Sequence, residues 1–320
     1  MINNLNKLLF GKRMSKLAVG GQAVIEGVMM KSPKYYSIAV RNDDKIKADA
    51  WRYMSLSERY RIFRLPFLRG IVSFWEMLRL GMKSLSYSAK ESGEEEEELS
   101  DFAITMTIIF SVLLAVALFV VVPYIIPHFL GLSEENNTVL FNLVDGIIKI
   151  LIFVGYVFAI SFMEDIRRVF QYHGAEHMAV NCYEKGKRLT VSNALKFGTY
   201  HPRCGTSFVV FVLVTMVLVF SFIPLIVKGI FPGIDSWGVV TKKLAFFGLR
   251  LVFILPVAGI SYEFLKLSGR MRDNFIAKII AFPGKLVQGI TTRKPDKKQI
   301  EVAIAALKEV LAKESKHKES

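Results

Sequence analysis

The sequence predicts a mainly α-helical integral membrane protein: four transmembrane helices, preceded by a small N-terminal cytosolic α+β region containing a β-hairpin. Three observations predict it. The 320 residues are 52% apolar, more than an ordinary soluble domain carries. Four stretches, 102–122, 141–163, 207–227 and 244–262, are dominated by Val, Ile, Leu and Phe, at the length that a ~30 Å hydrocarbon layer requires. Ahead of them, residues 35–51 read as two strands around the turn Arg41-Asn42-Asp43-Asp44.

The elements follow in order. Residues 1–15 form a tail; residues 1–20 hold four basic residues and no sustained apolar run, so a cleavable signal peptide is not expected. Residues 16–90 form the α+β region. There Gly20-Gly21 and Gly27 flank Gln22–Glu26, and Val28-Met29-Met30 follows, which suggests a short strand or tight turn with close backbone packing. From Pro66 to about Ala89, Leu68, Val72, Trp75, Leu78 and Met82 recur at helical spacing, so this helix lies on the membrane or packs against the spans. Residues 91–101 are an acidic linker around Glu94–Glu98. The membrane domain, 102–262, includes a His/Cys-bearing cytosolic segment, 164–206, whose first helix continues the second span. Residues 263–320 complete the chain. Gly269–Ile290 reads as an interfacial segment around Pro283-Gly284, and a helix follows Pro295 with Ile300, Ile304, Leu307 and Leu311 on one face. Asp296 suits that helix's N-terminus, and residues after Glu314 are expected to be disordered.

Charge sets the orientation. The loop 123–140 has no Lys or Arg, whereas segment 164–206 has seven basic residues against four acidic, and the tail after Tyr262 has thirteen against seven. The positive-inside rule puts both termini and the His/Cys segment in the cytosol, although the outer loop 228–243 carries three lysines. The net charge of +14 suits anionic lipid head groups as partners, leaves room for a protein partner on the cytosolic face, and comes with no nucleic-acid motif. Within the spans, Asp145 and Arg250 are expected to pair, since isolated membrane charges are costly.

The chemistry is concentrated in two stretches, which hold three of the five histidines and one of the two cysteines. His173, Glu176 and His177 form H-x-x-E-H, which places two imidazoles and a carboxylate on neighbouring positions of one helix. His201 and Cys204 offer two further ligands. A nitrogen–sulfur donor set suits zinc better than magnesium or calcium, so a divalent metal, zinc, is expected on His173, His177 and either His201 or Cys204. Glu176 is then the general base, and Arg203 can hold a developing oxyanion or an anionic substrate group. Alternatively Cys204, at a helix start, is itself a nucleophile with His201 or His173 as its base. A cytosolic location disfavours a disulfide, and Cys182, off the face of His177, reads as packing. Glu26, between glycines, reads as a capping acid rather than a ligand.

These residues also carry a resemblance. Ala18–Met30, His173–His177 and His201–Phe208 resemble the corresponding blocks of the YqhQ family of bacterial inner-membrane proteins, over about residues 16 to 312. That resemblance implies a bacterial source and a multi-span fold, and the family is often labelled as metal-dependent enzymes; it supplies no substrate. The expectation is a cytosol-facing, membrane-embedded, metal-dependent hydrolase acting on a membrane-associated peptide or lipid. The rival expectation is a non-catalytic membrane-protein biogenesis or assembly factor with a structural metal site.

Overall fold

The computed structural model describes residues 17–93, 101–132, 137–270 and 275–319. It opens with an antiparallel four-stranded meander in the order β1 (Gly20–Val24), β2 (Gly27–Lys31), β3 (Tyr35–Asn42) and β4 (Lys45–Arg52). The expected hairpin is β3–β4, with Asn42 facing Lys45 across the turn Asp43-Asp44. The glycine-flanked segment is a second hairpin, Val24 facing Gly27 across Ile25-Glu26. Asp43 and Glu26 take the positive φ these turns need, 52° and 49°. Asp tolerates that region better than Glu does; Glu26 is held there by Arg168, with Tyr172 Oη donating to its carboxylate at 3.2 Å. Glu26 is therefore tied to an ion pair, as a structural acid.

After the sheet come α1 (Leu56–Arg59), a 3-10 turn (Arg61–Arg64) and α2 (Leu68–Ser92). Helix α3 (Asp101–Val116) passes through a π-turn at Ala117–Val121 into α4 (Val122–Phe129). The wider turn sits just ahead of Pro123, whose missing N–H would otherwise break the α-helical ladder. Then follow α5 (Thr138–Ile160), α6 (Glu164–Glu184), the short α7 (Val191–Ala194), α8 (Gly205–Ile230), α9 (Val239–Arg270), α10 (Phe275–Thr291) and α11 (Lys297–Glu319). Among the described residues three segments are long and apolar enough to cross a membrane, Thr105–Phe129, Thr138–Ile160 and Gly205–Ile230. The fourth expected stretch lies inside α9, a 32-residue helix.

The sheet is the middle layer of three. On one face Val19, Val28, Met30 and Ala39 pack with Ala175, Met178 and Cys182 of α6 and with Ile300, Ala303, Leu307 and Val310 of α11. On the other, Val24, Met29, Tyr36, Ile38 and Val40 meet Leu80 and Tyr87 of α2. The alternation of strand side chains between faces makes this possible. Cys182 is fully buried in this core, as packing.

Four expectations are changed or bounded. The second span does not continue into α6: Met163 is extended (φ −67°, ψ 136°), and the chain restarts at Glu164 in a new direction so that α6 can cover the sheet. The segment around Pro283-Gly284 is one continuous helix packed on α8, with Gly284 against Ser207. The C-terminus is helical through residue 319, because the Glu314 carboxylate accepts from Ser32 Oγ (2.7 Å) and Lys34 N (3.1 Å). Asp145 is bound by Lys149 at 2.6 Å, while the Arg250 side chain lies outside the described residues. So do the tail 1–15 and the Glu94–Glu98 run. Asp296 does cap α11, in a reciprocal box with Gln299 at 2.7 and 2.9 Å.

Candidate metal centre

Helix α6 carries His173, Glu176 and His177 toward the first turn of α8, where Cys204 is the cap residue. His173 and His177 lie one turn apart, with ring centroids at 4.5 Å. Each is fixed by a backbone carbonyl: His173 Nδ1 meets Thr291 O at 2.9 Å, and His177 Nδ1 meets Thr199 O. A carbonyl only accepts, so both Nδ1 atoms carry a proton, and in the neutral ring, the ligating form, each Nε2 presents its lone pair. This is the outer-shell arrangement that orients metal-binding imidazoles. One ring nitrogen of each histidine and Cys204 Sγ lie within 4.8 Å of one another, with His173 Nε2 at 3.2 Å from the sulfur. Two nitrogens and one sulfur around a single point fit zinc, which takes three protein ligands and an open position in catalytic sites.

Glu176 borders that point. Its carboxylate is 3.4 Å from His177 Nε2 and accepts the Gly21 backbone N–H. Burial pushes its pKa up; His173, His201, that N–H and Arg203 oppose the shift. Burial also pushes His173 below the usual imidazole value, against the pull of Glu176 and the Thr291 carbonyl, so neutral imidazole, the ligating form, is favoured. Gly21 makes the approach of β1 to α6 possible, since a Cβ there would lie 3.0 Å from Glu176 Cγ and closer still to Met29 O.

His201 and Arg203 belong to a neighbouring network. His201 is buried; its Nδ1 accepts from Arg203 N at 3.4 Å, and its Nε2 has no hydrogen-bond partner, with Glu184 Oε1 at 3.6 Å. Burial lowers its pKa, opposed by Glu184. Arg203 is ion-paired with Glu184 and reaches Val19 O at 3.5 Å. His201 thus stands one ring beyond the three-atom cluster, 5.6 Å from His177. Gln288 of α10 clamps the His201 backbone from both sides, Oε1 to its N at 3.0 Å and Nε2 to its O at 3.1 Å. The sequence-predicted residues line one cavity of about 50 Å³ with Val19, Gly20, Gly21 and Gly205, room for one or two waters.

Glu184 was missed from sequence. It lies seven residues after His177 on α6, two turns along the same face, which is the signal that finds it. The anchoring carbonyls of Thr199 and Thr291 leave no side-chain signature at all.

Comparison with known proteins places the chain. Residues 65–313 match a family described as protein of unknown function (DUF1385). The chain is 30% identical to the uncharacterized protein YqhQ of Bacillus subtilis (strain 168), covering 93% of each sequence. No solved structure matches. With the matched span enclosing both His/Cys stretches, the chain belongs to the DUF1385 family, of which YqhQ is a relative.

Proposed function

We propose that this protein is a membrane-embedded, metal-dependent hydrolase whose site faces the cytosol and acts on a membrane-associated peptide or lipid. The observation that carries the reading is the pair of Nδ1–carbonyl anchors, which aim two Nε2 lone pairs and Cys204 Sγ at one point beside a buried carboxylate. His173, His177 and Cys204 would hold zinc, which supplies Lewis acidity for attack by water. Glu176, its basicity raised by burial, takes the proton of the attacking water and returns it to the leaving group. Arg203, held by Glu184 at the cavity wall, faces the developing negative charge.

The setting is read as a four-span protein of the bacterial inner membrane with both termini in the cytosol. Parity supports it. Helix α11 packs on the sheet and on α6, so the chain returns after α8 to the side from which it left; α9 supplies the fourth crossing. The Lys/Arg-rich segments lie on that side.

The test is metal content of detergent-purified full-length protein by mass spectrometry. Wild type should carry near-stoichiometric zinc, lost in both His177→Ala and Cys204→Ala. Glu176→Gln should keep the metal and abolish product release from labelled inner-membrane extract. Wild type that is folded, metal-free and not reloadable with zinc, manganese or iron sinks the reading.

The narrowness of the cavity favours a second reading: a non-catalytic biogenesis or assembly factor stapled by a structural metal. X-ray absorption separates the two. Three protein ligands plus one light oxygen shell support the hydrolase, and four protein ligands support the staple.

A further inference from the structure

The segment between the sheet and α2 exposes large apolar side chains although it is tightly built. Met54 is 60% exposed, Tyr60 47%, Ile62 59% and Leu65 54%. Nothing here is loose. Ser55 caps α1, and Glu76 of α2 accepts from Ser55 Oγ at 3.0 Å and from Leu56 N at 2.5 Å. Arg64 folds back on the Ser57 carbonyl at 2.9 Å and the Glu58 carbonyl at 3.3 Å. A rigid element that holds four apolar groups outward is covered by something in the working protein.

Position and charge say what covers it. The segment runs straight into Phe67, whose ring lies against Gly259 of α9, and Gly70 meets Tyr262 of the same helix. Arg69 pairs with Glu263 one residue further on. Phe74 then touches Phe208, at the first turn of the membrane-length α8. The apolar surface is therefore continuous with the ends of two helices that we read as spans. It continues along α2 through Trp75, Leu78 and Met82, exposed at 63%, 46% and 71%. Around the apolar tips stand the exposed Arg59 and Arg61. Beside them a cavity of about 240 Å³ is lined by Lys34, Arg52 and Arg59, with Glu58 as its acid.

We propose that residues 54–65 are a membrane foot: Tyr60, Ile62 and Leu65 enter the acyl boundary of the cytosolic leaflet, and Arg52, Arg59 and Arg61 bind the phosphates of anionic phospholipids. Apolar tips ringed by arginines are the composition of interfacial elements. The foot holds the sheet, and with it the β1 wall of the metal cavity, at the bilayer surface. The inference rests on the reading of α8 and α9 as spans and is independent of whether the metal cluster is catalytic.

The test uses the full chain in nanodiscs, spin-labelled after Ile62→Cys, with Ile46→Cys on β4 as the aqueous control. Unsubstituted protein, whose two cysteines are buried, gives the background. A label at position 62 that meets molecular oxygen but not a water-soluble nickel chelate, while the label at 46 meets the chelate, supports the foot. Chelate access equal to that at 46 overturns it, and shielding from both reagents overturns it in favour of a protein occupant. Replacing Arg52, Arg59 and Arg61 by Gln should lower retained phosphatidylglycerol over phosphatidylcholine by about fivefold or more, as expected for removal of surface cations. Unchanged retention overturns the anionic-lipid assignment. Displacement of the retained lipid by inorganic phosphate in detergent would make the cavity a free-phosphate site and overturn it too.

Discussion

Gly174 sits in the middle of α6, between His173 and Ala175, where Ala would ordinarily be favoured by about 1 kcal/mol. From sequence it reads only as a tolerated weakness. In the structure it is where the Arg293 carbonyl approaches the helix, so that a Cβ would collide with backbone. Gly174→Ala is expected to destabilise by about 1–3 kcal/mol, the cost of overpacking, and to weaken retention of the proposed zinc because it pushes away the segment after α10, whose Thr291 carbonyl orients His173. Gly155→Ala, with nothing within 4 Å of its Cβ, should leave the melting temperature unchanged or raised. Equal melting curves for the two variants would show that the Arg293 approach does not constrain the helix. At this scale the candidate ligands were legible in the sequence, since H-x-x-E-H and the His201/Cys204 pair are local patterns, although the structure groups only His173, His177 and Cys204. The sequence hid what aims them, because backbone carbonyls from 199 and 291 become partners only after folding.

Helices and strands divide the same way. Three apolar segments of membrane length and the β3–β4 hairpin were legible because apolar run length and turn residues are local signals. The break at Ser161–Met163 was not, because its cause is distant: Arg293 Nη2 bonds Ser161 Oγ at 3.2 Å, and α6 must turn to reach the sheet. The last turns of α11 were misread for a similar reason. The residues after Glu314 look like a charged, solvated end, yet the helix runs on to Glu319, and Glu314 at its root is only 3% exposed and serves two donors from the β2–β3 turn. His317 stacks edge-on against Tyr35 at 6.1 Å. Glu314→Ala removes the acceptor of Lys34 N and leaves Ser32 Oγ only the Tyr35 carbonyl at 3.1 Å, and should cost about 1.5–3 kcal/mol, the range for hydrogen bonds to a charged group. Glu314→Gln, which keeps one acceptor oxygen, should cost less. Thermal unfolding of the purified full chain checks the order; an unshifted Glu314→Ala midpoint would mean that α11 is fixed by its apolar face alone.

For the whole molecule, the proposed four-span arrangement has a sharp consequence at its weakest point. Helix α8 has 26 residues, about 39 Å at 1.5 Å per residue, and its two ends must face different compartments. Cys204 and the His/Cys-lined cavity sit at the end that meets α2 and the sheet. The loop after Ile230 sits at the other, flanked by Lys228 in the last turn of α8 and by Lys242 and Lys243 at the start of α9, which by charge alone pull it toward the cytosol. Packing opposes them. If the loop stayed inside, either α8 would fail to cross or α11 could not reach the sheet from the far side. Packing is the stronger constraint, because α11 contributes seven fully or nearly fully buried core side chains, from Ile300 to Val310, whereas topology bias from three lysines amounts to a preference. In intact cells, Ser236→Cys is therefore expected to react with a membrane-impermeant maleimide and Ile46→Cys only after lysis. Protection of both until lysis would place the loop in the cytosol. That result would remove the fourth crossing and require α8 to enter and leave the membrane on one side.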